Sequence, residues 1–152
     1  MVICFNPSDT DLFEKVTLYS GSLVLIAPIN KAPKNKVFKL SEIKEEPFIK
    51  IKNLKSNASQ NNLDEVLKQK NINVNWIAET ETIQVAKAMV EKGSGYSIID
   101  SFSAEIYGEE ISIHEIEPKI GYKICMVSNK EKPLSVSAKS FISFLSEPSS
   151  KI

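Results

Sequence analysis

The chain has 152 residues, 42% hydrophobic and 25% charged, with zero formal net charge, which predicts one ordinary soluble globular domain. Its 19 cationic residues are all lysine, and bidentate readout of guanine and phosphate is mostly arginine chemistry, so the chain alone is a poor nucleic-acid binder. No apolar run approaches the roughly 20 residues of a membrane span, and no basic-then-apolar signal segment opens the chain.

Met1-Val2-Ile3-Cys4-Phe5 predicts a strand, ended by Asn6-Pro7-Ser8-Asp9. A strand with no lead-in suggests a piece of something longer. Phe13 to Tyr19 alternates and Leu23 to Pro28 is apolar throughout. With Ser20-Gly21-Ser22 between them, they predict a hairpin or sharp strand-turn-strand, the second run buried on both faces. Residues 30–39 read as a solvated, lysine-rich loop. Ser41 can cap a short helical turn over Glu42–Glu46, which Pro47 stops. Phe48 to Ile51 alternates as a strand. Asn53 to Gln60 is turn-like, and Asn61 or Asn62 can cap a helix to about Lys70 with Leu63, Val66 and Leu67 inward. Val74, Trp76 and Ala78 share one face of the next strand.

The stretch from Thr80 to Asp100 reads as cap, helix, glycine stop and strand. Thr80 or Thr82 can accept from first-turn N–H groups. Ile83, Ala86, Met89 and Val90 form one helical face. Gly93 stands where a left-handed residue is expected, and Tyr96 to Ile99 is a short buried strand. Asp100 and Ser101 follow, at a place where open α/β sheets bind ligands. Phe102 to Tyr107 is a short helix stopped by Gly108. Ile111, Ile113 and Glu115 alternate with Ser112, His114 and Ile116 in a weak strand that Pro118 ends. Ile120 to Val127 is a strand carrying Cys125. Pro133-Leu134-Ser135 opens a last helix with Phe141, Ile142, Phe144 and Leu145 apolar, and the tail from Pro148 should fray. Strands alternating with helices imply an α/β fold with mostly parallel pairing.

Nothing in the residues requires catalysis. His114 is the only histidine and reads as solvated or structural, because a general base needs a placed partner. Asp100 is either a carboxylate at a strand end or the cap of the next helix. Glu79 and Glu81 are either a carboxylate pair or acids favoured by a helix N-terminus. Cys4 and Cys125 read as two buried free thiols of a reducing cytoplasm; no ligand-like spacing links them to each other or to His114, so no metal or cofactor is expected. Gly93-Ser94-Gly95 follows a helix rather than a strand and is no phosphate loop.

Four stretches in order resemble the effector-binding domain of LysR-type transcriptional regulators. Leu23–Pro28 is similar to the family's apolar strand before the first crossover. Leu40-Ser41-Glu42-Ile43-Lys44-Glu45-Glu46-Pro47-Phe48-Ile49 resembles its Asp-Leu-x-x-x-Pro-Phe-Ile segment. Thr82–Ile99 resembles its Ser-Leu…Val-x-x-Gly-x-Gly core. Lys132-Pro133-Leu134-Ser135 through Phe144-Leu145 resembles its closing helix. Ser94, where an apolar residue is usual, and Asp100, near a customary proline, depart from the pattern.

The resemblance implies a type 2 periplasmic-binding-protein-like fold, with two α/β subdomains around a cleft and the first subdomain incomplete. Residues 1–26 and 121–152 would be the partial first subdomain and residues 27–120 the second. The N-terminal helix-turn-helix DNA-binding domain is absent from this chain. The function implied is ligand sensing for a regulator that binds DNA only through that missing domain. A small solute-binding protein of the type 2 periplasmic family is the alternative; an enzyme is not expected. The implied effector positions are Thr80, Glu81 and Thr82 at a helix start, and Ser97, Asp100 and Ser101 around a strand end. Ala27 and Pro28 at the crossover and Ser56 and Asn57 in a loop complete them. The free N–H groups at the helix start suit an anionic effector, unless Glu79 and Glu81 point inward. A cytoplasmic homo-oligomer is expected.

Overall fold

The computed structural model describes residues 1–7, 10–43, 45–52, 58–106 and 110–146. Two compact units emerge, Met1–Ser20 with Lys123–Ile152, and Gly21–Tyr122.

The first unit holds strand β1 (Val2–Phe5), the opening half of β2 (Phe13–Pro28), most of β8 (Gly121–Asn129) and helix α4 (Val136–Ser146). β1 runs antiparallel to β8, pairing Val2 with Val127 and Phe5 with Ile124. Ser135 caps α4 by accepting from Ala138 N at 3.2 Å.

The second unit is a mixed sheet ordered β3 (Val37–Lys39), β7 (Ile111–Glu117), β2, β6 (Tyr96–Asp100), β4 (Pro47–Ile51) and β5 (Asn75–Thr80). β3 with β7, and β4 with both β5 and β6, pair in parallel. β2 is antiparallel to both its neighbours β6 and β7. The expectation of mostly parallel pairing is corrected here, because the long β2 enters the sheet against its neighbours' direction.

Among the described residues, three α-helices accompany this sheet: α1 (Ala58–Gln69), α2 (Ile83–Glu91) and α3 (Ser101–Ile106). Val24, Ile26, Ile49, Ile51, Ile99 and Ile111 from the strands pack with Ala86 and Val90 of α2 and Ala104 of α3 into one core. The intervening residues Leu25, Phe48 and Ile98 are buried as well, so these strands are apolar on both faces, as central strands must be. Phe48 meets Trp76 and Tyr96 edge-on, with ring centroids 6.1 and 5.6 Å away. On the α1 side, Lys50 Nζ pairs with Asp64 Oδ2 at 3.2 Å and lies 5.5 Å from the Trp76 ring centre.

Several local expectations are corrected. Residues 13–28 form one continuous strand rather than a hairpin. Gly21 makes no turn. A Cβ there would come within 2.7 Å of Ser101 Oγ and Tyr122 OH, so close approach selects glycine. Residues 30–39 are not all loop, since β3 forms and buries Phe38 against β7. The helical turn near Ser41 is a 3-10 turn over Leu40–Glu42, and Pro47 begins β4. Helix α1 starts at Ala58, ahead of Asn61 and Asn62; burial of Leu63 and Leu67 outweighs the modest helix penalty of asparagine. In β7, Ile113 is exposed while His114 and Ile116 are inside. His114 can take that position because its ring finds polar partners: Nδ1 donates to Asn35 O at 2.9 Å, and Nε2 lies 3.1 Å from Ser112 Oγ. The expected glycine stop at Gly108 and the fraying tail from Pro148 lie outside the described residues.

Candidate functional site

Three parallel strands set the site. In register, Ile51 of β4 faces Thr80 of β5, and Ile49 of β4 faces Ser97 of β6. The C-terminal ends of β5 and β6 therefore lie on one edge of the sheet, two strand spacings or about 10 Å apart. α2 starts just beyond β5 and α3 directly follows β6. Both helix N-termini thus gather at that edge and turn the positive ends of their dipoles to it.

Thr82 is the N-cap of α2. Its extended backbone (φ −130°, ψ 147°) stops the helix, and its Oγ1 accepts from Val85 N at 3.4 Å, the long end of a hydrogen bond. Thr80 is buried and donates from Oγ1 to Thr82 O at 3.2 Å. The backbone O of Thr80 accepts from Lys52 N at 2.6 Å. Glu79 and Glu81 are exposed. α2 ends with Gly93 at φ 77°; Gly93 N donates to Val90 O at 2.8 Å and Ser94 N to Met89 O at 3.0 Å. This Schellman closure fixes the helix axis over the sheet.

At β6, Ser97 is fully buried and donates to Ile49 O at 2.9 Å. Asp100 is 4% exposed and caps α3, its Oδ1 accepting from Ser103 N at 2.8 Å. Tyr122 OH accepts from Phe102 N at 3.1 Å, and it lies 3.3 Å from Ser101 Oγ and 3.5 Å from Asp100 Oδ1. Tyr122 was not foreseen; its only sequence signal is a phenol tip within an apolar strand. Lys87 was missed too, although it sits at helical spacing within the Ile83–Val90 stripe. Its buried ammonium donates to Ser103 O at 3.0 Å and Ala104 O at 3.4 Å, tying α2 to α3. Burial pushes its pKa below the usual lysine value, while Glu91 and Asp100 pull the other way.

The structure brings Thr80 together with Thr82, and Asp100 with Ser101 and Tyr122. Ala27 and Pro28 are buried in β2, with Ala27 O accepting from Ser112 Oγ at 3.3 Å. Ser56 and Asn57 lie outside the described residues. A cavity of about 240 Å³ between Lys39, Ser41, Lys70, Glu117 and Pro118 shares no residue with this edge. Among the described residues, no group of three or more His, Cys, Asp or Glu could hold a metal ion, and no helix is long and apolar enough to cross a membrane.

The fold is shared with solved regulatory proteins. The regulatory domain of CcmR from Synechocystis PCC6803, solved in complex with 2-PG, superposes with a TM-score of 0.80 at 18% identity, over 94% of this chain and 70% of that one. The effector-binding domain of QuiR, solved with shikimate, gives 0.76 at 20% identity, over 94% and 68%. CbnR, a LysR family transcriptional regulator, gives 0.75 at 18% identity; 94% of this chain is covered, which spans half the length of CbnR. These likenesses establish a mixed α/β, type 2 periplasmic-binding-protein-like fold. No curated protein matches the sequence. The LysR substrate binding domain family matches residues 1–149, and the chain belongs to that family.

Proposed function

We propose that this chain is the ligand-sensing part of a LysR-type transcriptional regulator, and that it takes a small-molecule effector at the sheet edge where α2 and α3 begin. The family match over residues 1–149 carries this reading and favours it over a free solute-binding protein. Small-molecule ligands of two structural neighbours, 2-PG and shikimate, support it. Within the edge, Thr82 and the N–H groups of the first turn of α2 face the effector, with Ser101 as a further polar contact, while Glu81 stays on the solvent side and Asp100 is held as the cap of α3. Thr80 supports this edge from behind and Ser97 from within the core, Ser56 and Asn57 complete the expected set, and Ala27 and Pro28 lie past the Ile26–Ser97 pair, toward the start of β6, so they do not line this edge.

The α2 N-terminus favours an anion, and the exposure of Glu79 and Glu81 leaves that preference standing. Effector binding would shift the balance between conformers of the sensing domain and pass to DNA through a helix-turn-helix domain elsewhere in the full protein. A thermal-shift screen of small organic acids and phosphates tests the reading. A binder present at a hundred times its Kd should stabilise the fold by about 2.7 kcal/mol. Stabilisation by neutral sugars or by cations in place of anions would contradict the anion preference.

A further inference from the structure

In the first unit, Cys4 of β1 stands directly opposite Cys125 of β8. Opposed residues of an antiparallel pair project to the same face, with Cβ atoms about 4.5–5.5 Å apart. Asn6 N donates to Lys123 O at 2.8 Å, which marks the 6/123 pair as hydrogen-bonded. Alternation makes 4/125 a pair of the same kind, with Cα atoms about 5.5 Å apart. That separation lies inside the roughly 4.4–6.8 Å window of disulfides, and only the Cβ atoms must close further, by about 1 Å. β1 can supply the movement, because it is an edge strand whose described pairing is to β8. Both cysteines are free thiols; Cys125 is buried as expected, but Cys4, on the edge strand β1, is only half-buried. Cys125 Sγ lies 3.8 Å from Thr17 Oγ1 on β2, so Cys4, Cys125 and Thr17 form one row across three strands.

We propose that Cys4 and Cys125 are a peroxide-responsive thiol pair that closes a reversible cross-strand disulfide. The more accessible Cys4 thiolate attacks one oxygen of hydrogen peroxide. The O–O bond breaks, the leaving hydroxide takes up the thiol proton as water, and Cys4 becomes a sulfenic acid. Cys125 sulfur then attacks Cys4 sulfur; the S–S bond forms, the S–O bond breaks, and the hydroxyl leaves with the second thiol proton as another water. The two sulfurs lose two electrons and the peroxide gains them. A dithiol reductant reverses the bond by exchange. Nothing in this pairing depends on the effector site.

The test treats the folded chain with hydrogen peroxide, blocks remaining thiols with iodoacetamide and measures the intact mass without reductant. The expected product is a monomer lacking two hydrogen atoms, carrying no alkyl group and yielding a linked Cys4–Cys125 peptide on digestion. Closure should run on the order of tenfold or more faster in the folded chain than in urea, because the fold pre-positions the two sulfurs. The oxidised form should unfold about 5 °C or more higher, since the bond ties residue 4 to residue 125. Cys4→Ser, a change on an exposed edge strand, should abolish the mass loss. The proposal is overturned if both thiols remain alkylatable, if Cys4 runs on to sulfinic acid or to an intermolecular dimer, or if closure is equally fast in urea.

Discussion

Thr82 and Ser97 look alike in the sequence, each a hydroxyl beside the strand–helix edge, yet the structure gives them different work. Ser97 spends its hydroxyl on Ile49 O in the core, whereas Thr82 caps α2 at the surface. Ser97→Ala should cost about 0.5–1.5 kcal/mol, because the buried Ile49 carbonyl loses one hydrogen bond, and should leave effector affinity unchanged. Thr82→Val keeps the shape and removes the hydroxyl. As a cap alone it should cost about 0.5–2 kcal/mol of stability; as an effector contact it should also weaken binding by roughly 1.5–3 kcal/mol. Chemical unfolding and calorimetric titration with the effector found by the screen separate the two, and unchanged affinity in Thr82→Val would move the site off this helix. Of this edge, the sequence makes the caps legible, since Thr82 and Asp100 precede helices. It hides the burial of Ser97, because a small hydroxyl within an apolar run carries no mark of which face it takes. Tyr96 supports a different prediction. Its OH donates to Lys31 O at 2.8 Å, and burial, then Glu46, hold its pKa above the usual 10.0. The folded state therefore keeps the phenol proton at pH values where the unfolded chain has lost it. Stability from this group is intact below pH 10.0 and is lost as pH rises through the raised value. The unfolding midpoint followed above pH 10.0 should fall less steeply in Tyr96→Phe than in the parent; equal slopes would refute the assignment.

Among the elements, α2 and β6 are where local signals and tertiary demands agree. The apolar stripe, threonine cap and left-handed glycine all specify the same boundaries. β2 and β3 show the opposite case. Ser20-Gly21-Ser22 has turn composition, yet the strand runs through it, because the glycine answers a contact made by Ser101 and Tyr122, far away in sequence. The lysines around Phe38 masked β3, whose one buried ring is enough to seat it beside β7. Likewise His114 reads as a polar interruption of β7 until its two backbone and side-chain partners are known. Gly21→Ala tests the β2 account. The new methyl must displace the Tyr122 phenol, which holds the start of α3 through Phe102 N and stands beside Ser101. A loss of about 1–3 kcal/mol is expected, as for an overpacked core site. Gly21→Ala combined with Tyr122→Phe, which removes one of the two oxygens in the way, should recover part of it. A neutral Gly21→Ala would mean that the contact is easily relieved.

For the whole molecule, charge and exposed apolar surface decide the partners. Zero net charge from 19 lysines and 19 acids, with no arginine, leaves little to release counterions from a duplex. This chain alone should show no salt-sensitive shift of operator DNA at micromolar protein, and such a shift would refute the division of labour proposed above. Self-association is the stronger expectation. In the first unit β1 is an edge strand, with Val2 61% and Ile3 47% exposed. On α4, Val136 is 82% and Phe144 64% exposed, and Phe141 is exposed as well. An open strand edge offers unpaired backbone groups to another chain, and exposed aromatic side chains on one helix offer apolar area. Burying against a second copy the roughly half of Phe141 and Phe144 still in water would contribute about 1–2 kcal/mol each. Light scattering across a concentration series should therefore show mass growth beyond the monomer. Phe144→Lys should shift that growth to higher concentration without lowering the unfolding midpoint, because an exposed side chain contributes little to the monomer's own packing. A monomer that persists at high concentration, or a Phe144→Lys chain that associates as the parent does, would remove α4 as the contact.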